Sequence, residues 1–441
     1  MNSVQLNSTH DSQRRSWIDS ASTADTDFPI QNLPFAVFRR HGTSDMPRCG
    51  VGIGDLILDV TLCSSLFPEP VAVAARACEA DTLNRLMSLD PALVSAFRHR
   101  LSELLSADHT KHREALTQAL TPIQGVDLLL PARIGGFTDF FASIHHATNA
   151  GKLFRPNNPL LPNYKYVPVG YNGRANSVRA SGDFLRRPHG QILVHGENQP
   201  AYLPAQRVDY EVELGLYIGQ ASTPDQPISI STAWRHVFGF SLLNDWSARD
   251  IQAWEYQPLG PFLAKSFATT VSPWVVTAEA LLPFRSAVAA RAENDPPPLP
   301  HLANETDQRS GALDIEIEAH LLTDAMARIG LPPARISRSN AASLYWTFAQ
   351  MITHHTSNGS SLDTGDLLAS GTISGPTGDA LGSLLEITRG GAAPFTVPGT
   401  GERRTFLEDG DEIRLRGKCR RHGFVSLGFG ECVARLQPAQ G

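Results

Sequence analysis

The feature that most constrains the fold is an alternating run, Asp209-Tyr-Glu-Val-Glu-Leu-Gly-Leu-Tyr-Ile218. In an extended strand successive side chains point to opposite faces, so the apolar residues share one face and Glu211 and Glu213 share the other. Alternation with a period of two predicts a strand that buries one face in a hydrophobic core. Further strand-like runs predict a mainly β chain that also contains helices, an α+β protein, and they cover residues 35–38, 55–61, 313–322, 366–388 and 404–436.

The acidic face of this run allows two interpretations. Two glutamates side by side on one face repel each other unless water screens them or a cation bridges them. A solvent-exposed sheet edge is the structural interpretation, and binding of a divalent metal is the functional one. The run alone leaves both open.

Composition and charge limit the partners of the chain. With 441 residues, of which 41% are hydrophobic and 19% are charged, it is long enough for a large core and more than one domain. Its net charge of −6 argues against a nucleic-acid partner. No apolar run is long enough to span a bilayer, and no signal-peptide pattern is present. Five cysteines without metal-type spacing fit reduced thiols, so we predict a cytoplasmic protein without a membrane partner.

Changes in composition along the chain predict its domain boundaries. Residues 1–27 are rich in Ser, Thr, Asn and Asp, and we predict a disordered tail there. Residues 28–125 combine strand-like and helical patterns in a first domain, and residues 126–441 form a second, larger domain. The proline-rich stretch at residues 284–312 is predicted to be a surface excursion of the second domain.

Two local patterns in the first domain predict particular backbone features. Asp90 followed by Pro91 is typical of a helix N-terminus, because aspartate caps the first turn and proline is tolerated there. Gly54 and Asp55 lie between two short strand-like runs and predict a tight hairpin.

The polar side chains of residues 244–270 favour a binding role. The first half predicts a helix of about three turns that begins at Asn244 or Asp245 and ends before Pro258. One face of that helix carries a carboxylate, a guanidinium, an amide and a phenol, from Asp245, Arg249, Gln252 and Tyr256. Such a row could bind an oxygen-rich small molecule or could be a solvated face with a weak ion pair, and spacing leaves both open. In the second half, Lys265 lies among apolar residues, where burial requires an anionic partner.

Carboxylates from three separate segments could form a metal site, and these are Asp139, Glu211, Glu213 and Asp245. A set of carboxylates without cysteine selects a hard cation, Mg²⁺ or Ca²⁺, over zinc. Four anions exceed the charge of one divalent ion, so a nearby cation would help, and Lys265 and Arg249 are available.

A histidine and a carboxylate could supply proton transfer. His146 beside Glu386, which we place within a strand, could take a proton from water near neutral pH. If residues 139–150 are helical, Asp139 and His146 lie two turns apart on one face. The adjacent pair His354-His355 is better explained as structural, because neighbouring helix residues point in different directions.

Several motifs together point to a known family. They are Thr138-Asp-Phe with His146-Ala-Thr-Asn149, Val169-Gly-Tyr-Asn-Gly-Arg174, Tyr210-Glu-Val-Glu213, the whole of 244–270, His354-His355 and Asp366-Leu-Leu-Ala-Ser-Gly-Thr-Ile-Ser-Gly-Pro376. On these motifs the chain resembles the fumarylacetoacetase family from Phe28 to Gly430, which is nearly all of the chain beyond the predicted tail.

The resemblance implies a small N-terminal SH3-like barrel and a larger β-rich domain of the fumarylacetoacetase type, assembled as a homodimer. It implies a metal-dependent enzyme that hydrolyses a carbon–carbon bond of the diketo acid 4-fumarylacetoacetate to give fumarate and acetoacetate. That reaction is the last step of tyrosine and phenylalanine catabolism through homogentisate.

The resemblance also implies roles for individual residues. The ligands that it implies for Mg²⁺ or Ca²⁺ are Asp139, Glu211, Glu213 and Asp245. The residues that it places beside the metal are Lys265 and Thr269. It makes His146 the water-activating base and Glu386 its partner, and the residues that face the developing oxyanion are Arg249, Gln252 and Lys265. The substrate-contacting positions are Arg155, Tyr171, Arg249, Gln252, Tyr256 and Thr372.

The chain departs from the family pattern at a few positions. Phe141 stands where the family commonly has tyrosine, which removes one hydroxyl contact to substrate. His145 replaces a glutamine, and Ala264 and Ala268 replace glycines around Lys265. Because Phe141 removes that hydroxyl, an enzyme of the same family that hydrolyses another acylpyruvate or β-diketone is an alternative. A non-catalytic binding protein on the same fold is the alternative of a different class.

Overall fold

A computed structural model describes residues 5–440 of the chain. It confirms the predicted fold class, because the chain is mainly β with helices and comprises a small N-terminal unit and a larger β-rich unit. The two units meet where Phe35 and Val275 exchange backbone hydrogen bonds of 3.0 and 2.8 Å.

The N-terminal unit is built on five antiparallel strands, β1 (Phe35–Arg40), β2 (Arg48–Ile53), β3 (Leu56–Asp59), β4 (Leu120–Pro122) and β5 (Val126–Leu129). They pair in the order β4-β3-β2-β1-β5. The predicted hairpin is confirmed between β2 and β3, where Gly54 has a φ of +59° that favours glycine. The predicted boundary after residue 125 is wrong by one strand, because β5 pairs with β1.

Four helices pack against this sheet, α1 (Ala72–Ala77), α2 (Asn84–Met87), α3 (Pro91–Leu105) and α4 (Arg113–Ala119). The predicted start of α3 is confirmed, because the Asp90 side chain accepts a hydrogen bond of 2.8 Å from the Ala92 N–H and Pro91 follows the cap. The Phe97 ring of α3 stacks on Phe35 of β1 with ring centroids 6.0 Å apart. The amphipathic face of α3 therefore closes the N-terminal core.

The prediction of a disordered tail is wrong for residues 5–27. This segment forms two short 3-10 helices, Ser8–His10 and Asp19–Ser22, and it buries Ile18. Ser16 Oγ donates a hydrogen bond of 2.8 Å to the carbonyl of Leu105 in α3. The polar residues that made the segment resemble a tail are used as caps and side-chain donors. Residues 1–4 lie outside the described residues.

The larger unit contains the remaining strands, in chain order β6 (Phe137–Phe140), β7 (Gly170–Asn172), β8 (Val178–Ala180), β9 (Phe184–Arg186), β10 (His189–Ile192), β11 (Ala201–Pro204), β12 (Val208–Asp209), β13 (Val212–Ile218), β14 (Val237–Asp245), β15 (Ser247–Ala248), β16 (Thr269–Val271), β17 (Val276–Thr277), β18 (Arg285–Ser286), β19 (Ala312–Leu313), β20 (Glu316–Leu322), β21 (Ala334–Asn340), β22 (Leu367–Ala369), β23 (Phe395–Thr396), β24 (Arg403–Arg404), β25 (Glu412–Cys419) and β26 (Leu427–Gln437). Its helices are α5 (Ile144–Phe154), α6 (Arg249–Glu255), α7 (Leu263–Ser266), α8 (Glu305–Ser310), α9 (Asp324–Arg328), α10 (Phe348–Thr356) and α11 (Leu384–Ile387).

Two sheets form the core of this unit. The central sheet has the order β7-β6-β22-β13-β14-β16-β8, with β17 also paired to β14, and the second has the order β21-β20-β25-β26-β9. They face each other where Gly417 of β25 packs on Leu242 of β14. The alternating run forms two strands rather than one, because β12 ends at Asp209 and β13 begins at Val212. The strand prediction is confirmed for residues 212–218, where β13 is buried along its whole length, pairs with β14 and pairs with β22 at residues 215–217. The proposed exposed edge is therefore excluded for Glu211 and Glu213.

Two local predictions around the site are wrong, the cap at Asn244 or Asp245 and the strand at Glu386, and the condition of a helix over residues 139–150 is not met. Asn244 and Asp245 do not cap a helix, because they end β14, where Asn244 pairs with Val212 of β13; α6 begins at Arg249. Asp139 lies in β6 rather than in a helix with His146, and Glu386 lies in α11 rather than in a strand. Sheet pairing between distant segments overrides the local capping preference of Asn and Asp.

The predicted surface excursion holds only for part of its range. Residues 287–300 are exposed or half-buried, whereas Leu302 and Asp307 are buried against α10 through hydrogen bonds to Gln350 and Thr347. Across residues 5–440, no helix is both long enough and apolar enough to cross a membrane.

We expect Ile18→Ala to reduce the free energy of unfolding by about 2–4 kcal/mol, because it removes apolar side-chain atoms from a packed site. Leu6→Ala is the matched control, since Leu6 is 55% exposed and its truncation should change stability by less than about 0.5 kcal/mol. Chemical denaturation of the two variants measures the difference. Equal midpoints would contradict the packed N-terminal segment.

Candidate active site

The central sheet brings four predicted carboxylates together. Asp139 extends from β6, Glu213 from β13 and Asp245 from the end of β14, while Glu211 precedes β13. One oxygen of each lies within 4.8 Å of the corresponding oxygen of every other. All four side chains are buried, and Glu213 and Asp245 have no exposed surface. Four carboxylates in such a space require positive charge nearby.

Three buried cations surround the cluster. Lys265 Nζ contacts Glu211 Oε2 at 2.7 Å and Asp245 Oδ2 at 2.8 Å. Arg249 contacts Glu211 Oε1 at 2.9 Å and also donates to Asp209 Oδ2 at 2.9 Å. Arg174 contacts Asp245 and Asp139. With Asp209 included, five carboxylates face three cations, which leaves a deficit that one divalent ion would balance.

Unpartnered oxygens support the same conclusion. Asp139 Oδ1 and both carboxylate oxygens of Glu213 are buried and accept no hydrogen bond among residues 5–440. An ionised carboxylate buried without a partner costs several kcal/mol, so a cation fits here. The cluster can therefore bind a metal ion, and its all-oxygen donor set suits a hard cation such as Mg²⁺ or Ca²⁺.

The pKa values of the four acids reflect their unequal partners. Burial and the neighbouring Asp245 raise the pKa of Asp139 to about 7, and burial with Asp139 raises that of Glu213 well above its usual value. Burial opposes ionisation of Glu211 and Asp245 as well. The pKa of Glu211 is nevertheless lowered by Lys265 and Arg249, and that of Asp245 by Arg174 and Lys265. The protein alone thus stabilises only part of the cluster as anions.

His146 and Glu386 form the predicted pair. His146 Nδ1 lies 2.6 Å from Glu386 Oε2, and both side chains are buried. The ring lies near the start of α5, where Ser143 Oγ caps the helix by accepting from the His146 N–H. Because Nδ1 faces a carboxylate, it carries the proton, and Nε2 has the free lone pair.

Several hydroxyl and amide groups hold Glu386. Its Oε1 accepts from Asn149 Nδ2 at 2.9 Å, and its Oε2 accepts from Ser374 Oγ at 2.8 Å and Ser383 Oγ at 3.0 Å. Burial opposes ionisation of Glu386, but His146 and these donors lower its pKa. Glu386 is therefore an ionised carboxylate that fixes the orientation of the histidine ring.

Some of the other predicted site residues adjoin the cluster and others do not. Thr269 Oγ1 donates to Asp245 Oδ1 at 2.8 Å, the Tyr171 hydroxyl donates to Asp139 Oδ2 at 3.0 Å, and the Gln252 amide oxygen accepts from Arg249 at 3.1 Å. The remaining predicted positions make no hydrogen bond or ion pair to the four carboxylates among residues 5–440, and these are Arg155, Tyr256 and Thr372.

Two charged residues at the site were not predicted from the sequence, and these are Arg174 and Asp209. Arg174 was part of a family motif without an assigned role, and Asp209 lies on the acidic face of the alternating run. Asp209 accepts hydrogen bonds from the Leu384 and Leu385 N–H groups at 2.7 and 2.9 Å. It therefore joins Arg249 to the start of α11, the helix that carries Glu386.

The adjacent histidines His354 and His355 line a cavity of about 440 Å³ beside β6 and β7, and Tyr171 lines the same cavity. His355 Nε2 lies 2.9 Å from Thr138 Oγ1, next to Asp139 in sequence. This contact is compatible with the structural role that we predicted for the pair.

Comparison with known proteins identifies the family. The model of the fumarylacetoacetate hydrolase C-terminal domain matches residues 136–437, and that of the fumarylacetoacetase N-terminal domain matches residues 31–131. The chain therefore belongs to the fumarylacetoacetate hydrolase family, as the motifs predicted.

Relatives with high coverage narrow the class of enzyme. The chain is 45% identical to fumarylacetoacetase from Rattus norvegicus and 44% identical to that from Homo sapiens, each over 94% of this chain and 97% of the relative. It is 41% identical to fumarylacetoacetase from Arabidopsis thaliana, over 96% of this chain and 99% of the relative. These similarities confirm the predicted class, a hydrolase that acts on carbon–carbon bonds.

A solved structure has a fold similar to that of this chain. A structure described as an HpcE protein from Mycobacterium smegmatis is 20% identical, with a TM-score of 0.50 over 92% of this chain and 99% of that one. At this identity the likeness concerns the fold alone.

We expect binding of Mg²⁺ or Ca²⁺ to weaken as the pH falls. Asp139 has a raised pKa of about 7, so it is largely protonated below that pH and must lose the proton to bind a metal. Titration calorimetry at about pH 6 and about pH 8 should show tighter binding at the higher pH, by about tenfold for one displaced proton. Equal affinity at the two pH values, without proton release, would contradict this assignment.

Proposed function

We propose that this protein is a metal-dependent fumarylacetoacetase, which hydrolyses 4-fumarylacetoacetate to fumarate and acetoacetate as the last step of tyrosine and phenylalanine catabolism. The observation that carries the proposal is the 2.6 Å contact between His146 and Glu386, close to a buried carboxylate cluster. The pair lies near the cluster, because Arg249 joins Glu211 to Asp209, which accepts a hydrogen bond from the N–H of Leu385, the residue before Glu386. Relatives of that name match nearly the whole chain.

The proposed ligands of Mg²⁺ or Ca²⁺ are Asp139, Glu211, Glu213 and Asp245, with Lys265 and Thr269 beside them. When bound, such an ion polarises carbonyl oxygens and stabilises the negative charge that develops on them. The residues of this chain then supply orientation and proton transfer.

His146 is the proposed general base. Its Nε2 accepts a proton from water while the water oxygen forms a bond to the carbonyl carbon of the fumaroyl group. Glu386 stabilises the imidazolium that results, because it remains an anion beside Nδ1. The carbon–carbon bond then breaks, its electron pair leaves with the acetoacetate carbon, and that carbon receives the proton to complete the products.

Charged and polar donors would act on the substrate. Lys265, Arg249 and Gln252 lie together on one side of the cluster and could donate to the developing oxyanion. The other proposed substrate contacts are Arg155, Tyr171, Tyr256 and Thr372. The Thr372 hydroxyl is buried and has no hydrogen-bond partner among residues 5–440, which leaves it available to a ligand.

A second candidate substrate is another acylpyruvate or β-diketone. The Phe141 ring lies edge-on to His146, with centroids 5.3 Å apart, and it presents no hydroxyl to a substrate beside the base. This feature favours a less polar group at that position. The intact His146–Glu386 contact argues against the alternative of a non-catalytic binding protein.

We also propose a cytoplasmic homodimer. All five cysteines are free and buried, as in proteins of reducing compartments. Large apolar side chains are exposed around α6 and α7, with Leu259 94% and Phe262 68% exposed, and a second copy could cover them. Sedimentation equilibrium tests the assembly, and a monomer at micromolar concentration would contradict it.

The proposed reaction is tested by the loss of diketone ultraviolet absorbance when fumarylacetoacetate is mixed with protein and Mg²⁺ or Ca²⁺. We expect fumarylacetoacetate to be consumed with a higher kcat/KM than other acylpyruvates and β-diketones, and excess chelator to stop the loss. Preference for another diketo acid would replace the proposed substrate. Full activity in excess chelator would contradict the metal dependence.

We expect His146→Ala to lower kcat by about 100- to 10,000-fold, because it removes the proposed base. The affinity for Mg²⁺ or Ca²⁺, measured by calorimetry, should stay close to that of the unchanged protein. His145→Ala is the matched control, since His145 is next to His146 in sequence and its ring makes no hydrogen bond among residues 5–440. A fully active His146→Ala variant would remove this residue from the mechanism.

A further inference from the structure

Arg174 occupies an unusual backbone position at the edge of the carboxylate cluster. It follows β7 and has a φ of +55°, in the left-handed region that non-glycine residues rarely adopt. Its side chain is 7% exposed. Such a conformation persists only where surrounding contacts stabilise it, and for Arg174 these include the contacts of the guanidinium.

Both terminal nitrogens of Arg174 are fully used. Nη1 donates to Asp245 Oδ1 at 2.6 Å and to Thr269 Oγ1 at 2.8 Å. Nη2 donates to Asp245 Oδ2 at 2.8 Å, to Asp139 Oδ2 at 3.1 Å and towards the Tyr171 hydroxyl at 2.9 Å. The guanidinium thus binds Asp245 through both oxygens and reaches Asp139 at the same time, which only a planar fork of donors can do.

Aromatic rings fix the plane of this fork. The guanidinium carbon lies 4.7 Å from the ring centroid of Phe137 and 5.3 Å from that of Tyr171. These cation–π contacts restrict its rotation, so the donor directions are set before any ligand binds.

The contacts decide which oxygen of Asp139 is available. Arg174 and Tyr171 both bind Oδ2, whereas Oδ1 of the same carboxylate is buried without a partner. The fork also sets the orientation of Asp245, whose carboxylate has no exposed surface. Arg174 therefore contacts two of the four proposed metal ligands, and it shares Asp139 with Tyr171 and Asp245 with Thr269 and Lys265.

We propose that Arg174 is a positioning residue of the metal centre, which holds Asp139 so that its Oδ1 is left free for a divalent cation and fixes the orientation of the Asp245 carboxylate beside it. This inference rests on the proposed metal site and adds a residue to it. Mutation of a residue that orients metal ligands typically lowers the affinity for the metal by about 10- to 100-fold.

Charge and geometry make opposite predictions for this residue. If Arg174 acted only as a positive charge, its removal would leave the cluster more negative, and a divalent cation would bind more tightly. If it orients two ligands, removal weakens binding although the charge has become more favourable. The sign of the change in affinity therefore separates the two roles.

The test uses Arg174→Lys and Arg174→Gln in the full chain. Calcium and magnesium are titrated separately into chelator-treated protein by calorimetry, and circular dichroism and melting temperature report folding. Arg174→Lys keeps the positive charge but loses the planar set of donors. Any loss of metal affinity in this variant therefore cannot be due to a change in net charge. Arg179→Gln is the matched control, because Arg179 is exposed on β8 and makes a single hydrogen bond of 3.3 Å to the Phe267 carbonyl.

We expect both Arg174 variants to bind the metal about 10- to 100-fold more weakly, with Arg179→Gln unchanged. Unchanged affinity in Arg174→Lys, or tighter binding in Arg174→Gln, would overturn the inference while leaving the proposed metal site intact. If the unchanged protein bound neither ion, the metal site and the inference would fall together.

Discussion

Burial of like charges at one place in the central sheet is the constraint on which the structure of this site depends. Glu213 and Asp245 are wholly buried on adjacent strands, and Asp139 and Glu211 lie within reach of them. Like charges in a poorly polarisable interior repel strongly, so the arrangement persists only with matched cations. Lys265, Arg249 and Arg174 provide part of that charge, and the remaining deficit is one that a bound metal ion could offset.

Strand pairing keeps these carboxylates in place. β13 lies between β14 and β22, and β22 runs parallel to β6 with Ala369 beside Asp139. Apolar residues of β13 on the opposite face anchor its register in the core. A shift by one residue would turn Glu213 into that core, so packing of the leucines specifies the position of the acids.

The His146–Glu386 pair is attached to the same framework through helix ends. Ser143 caps α5 beside His146, and Ser383 caps α11 beside Glu386. Asp209 accepts from the first N–H groups of α11 and also binds Arg249, which contacts Glu211. Arg249 and Asp209 thus connect the carboxylate cluster with the start of α11, the helix that carries Glu386, through a chain of buried hydrogen bonds.

The sequence by itself determined features that depend on neighbouring residues. These are the alternation that became β13, the helix cap at Asp90 and the hairpin at Gly54. It also supplied the residue types of the four carboxylates and of His146 with Glu386. Similarity of motifs extended this to the family and to the choice of site residues. Only the tertiary structure decided that Asn244 and Asp245 end a strand, that Glu386 lies in a helix and that residues 5–27 pack against α3, since pairing with distant segments outweighs local preference. The role of Arg174 was hidden for the same reason, because a side chain's partners across 71 residues of chain are set by the fold and not by spacing.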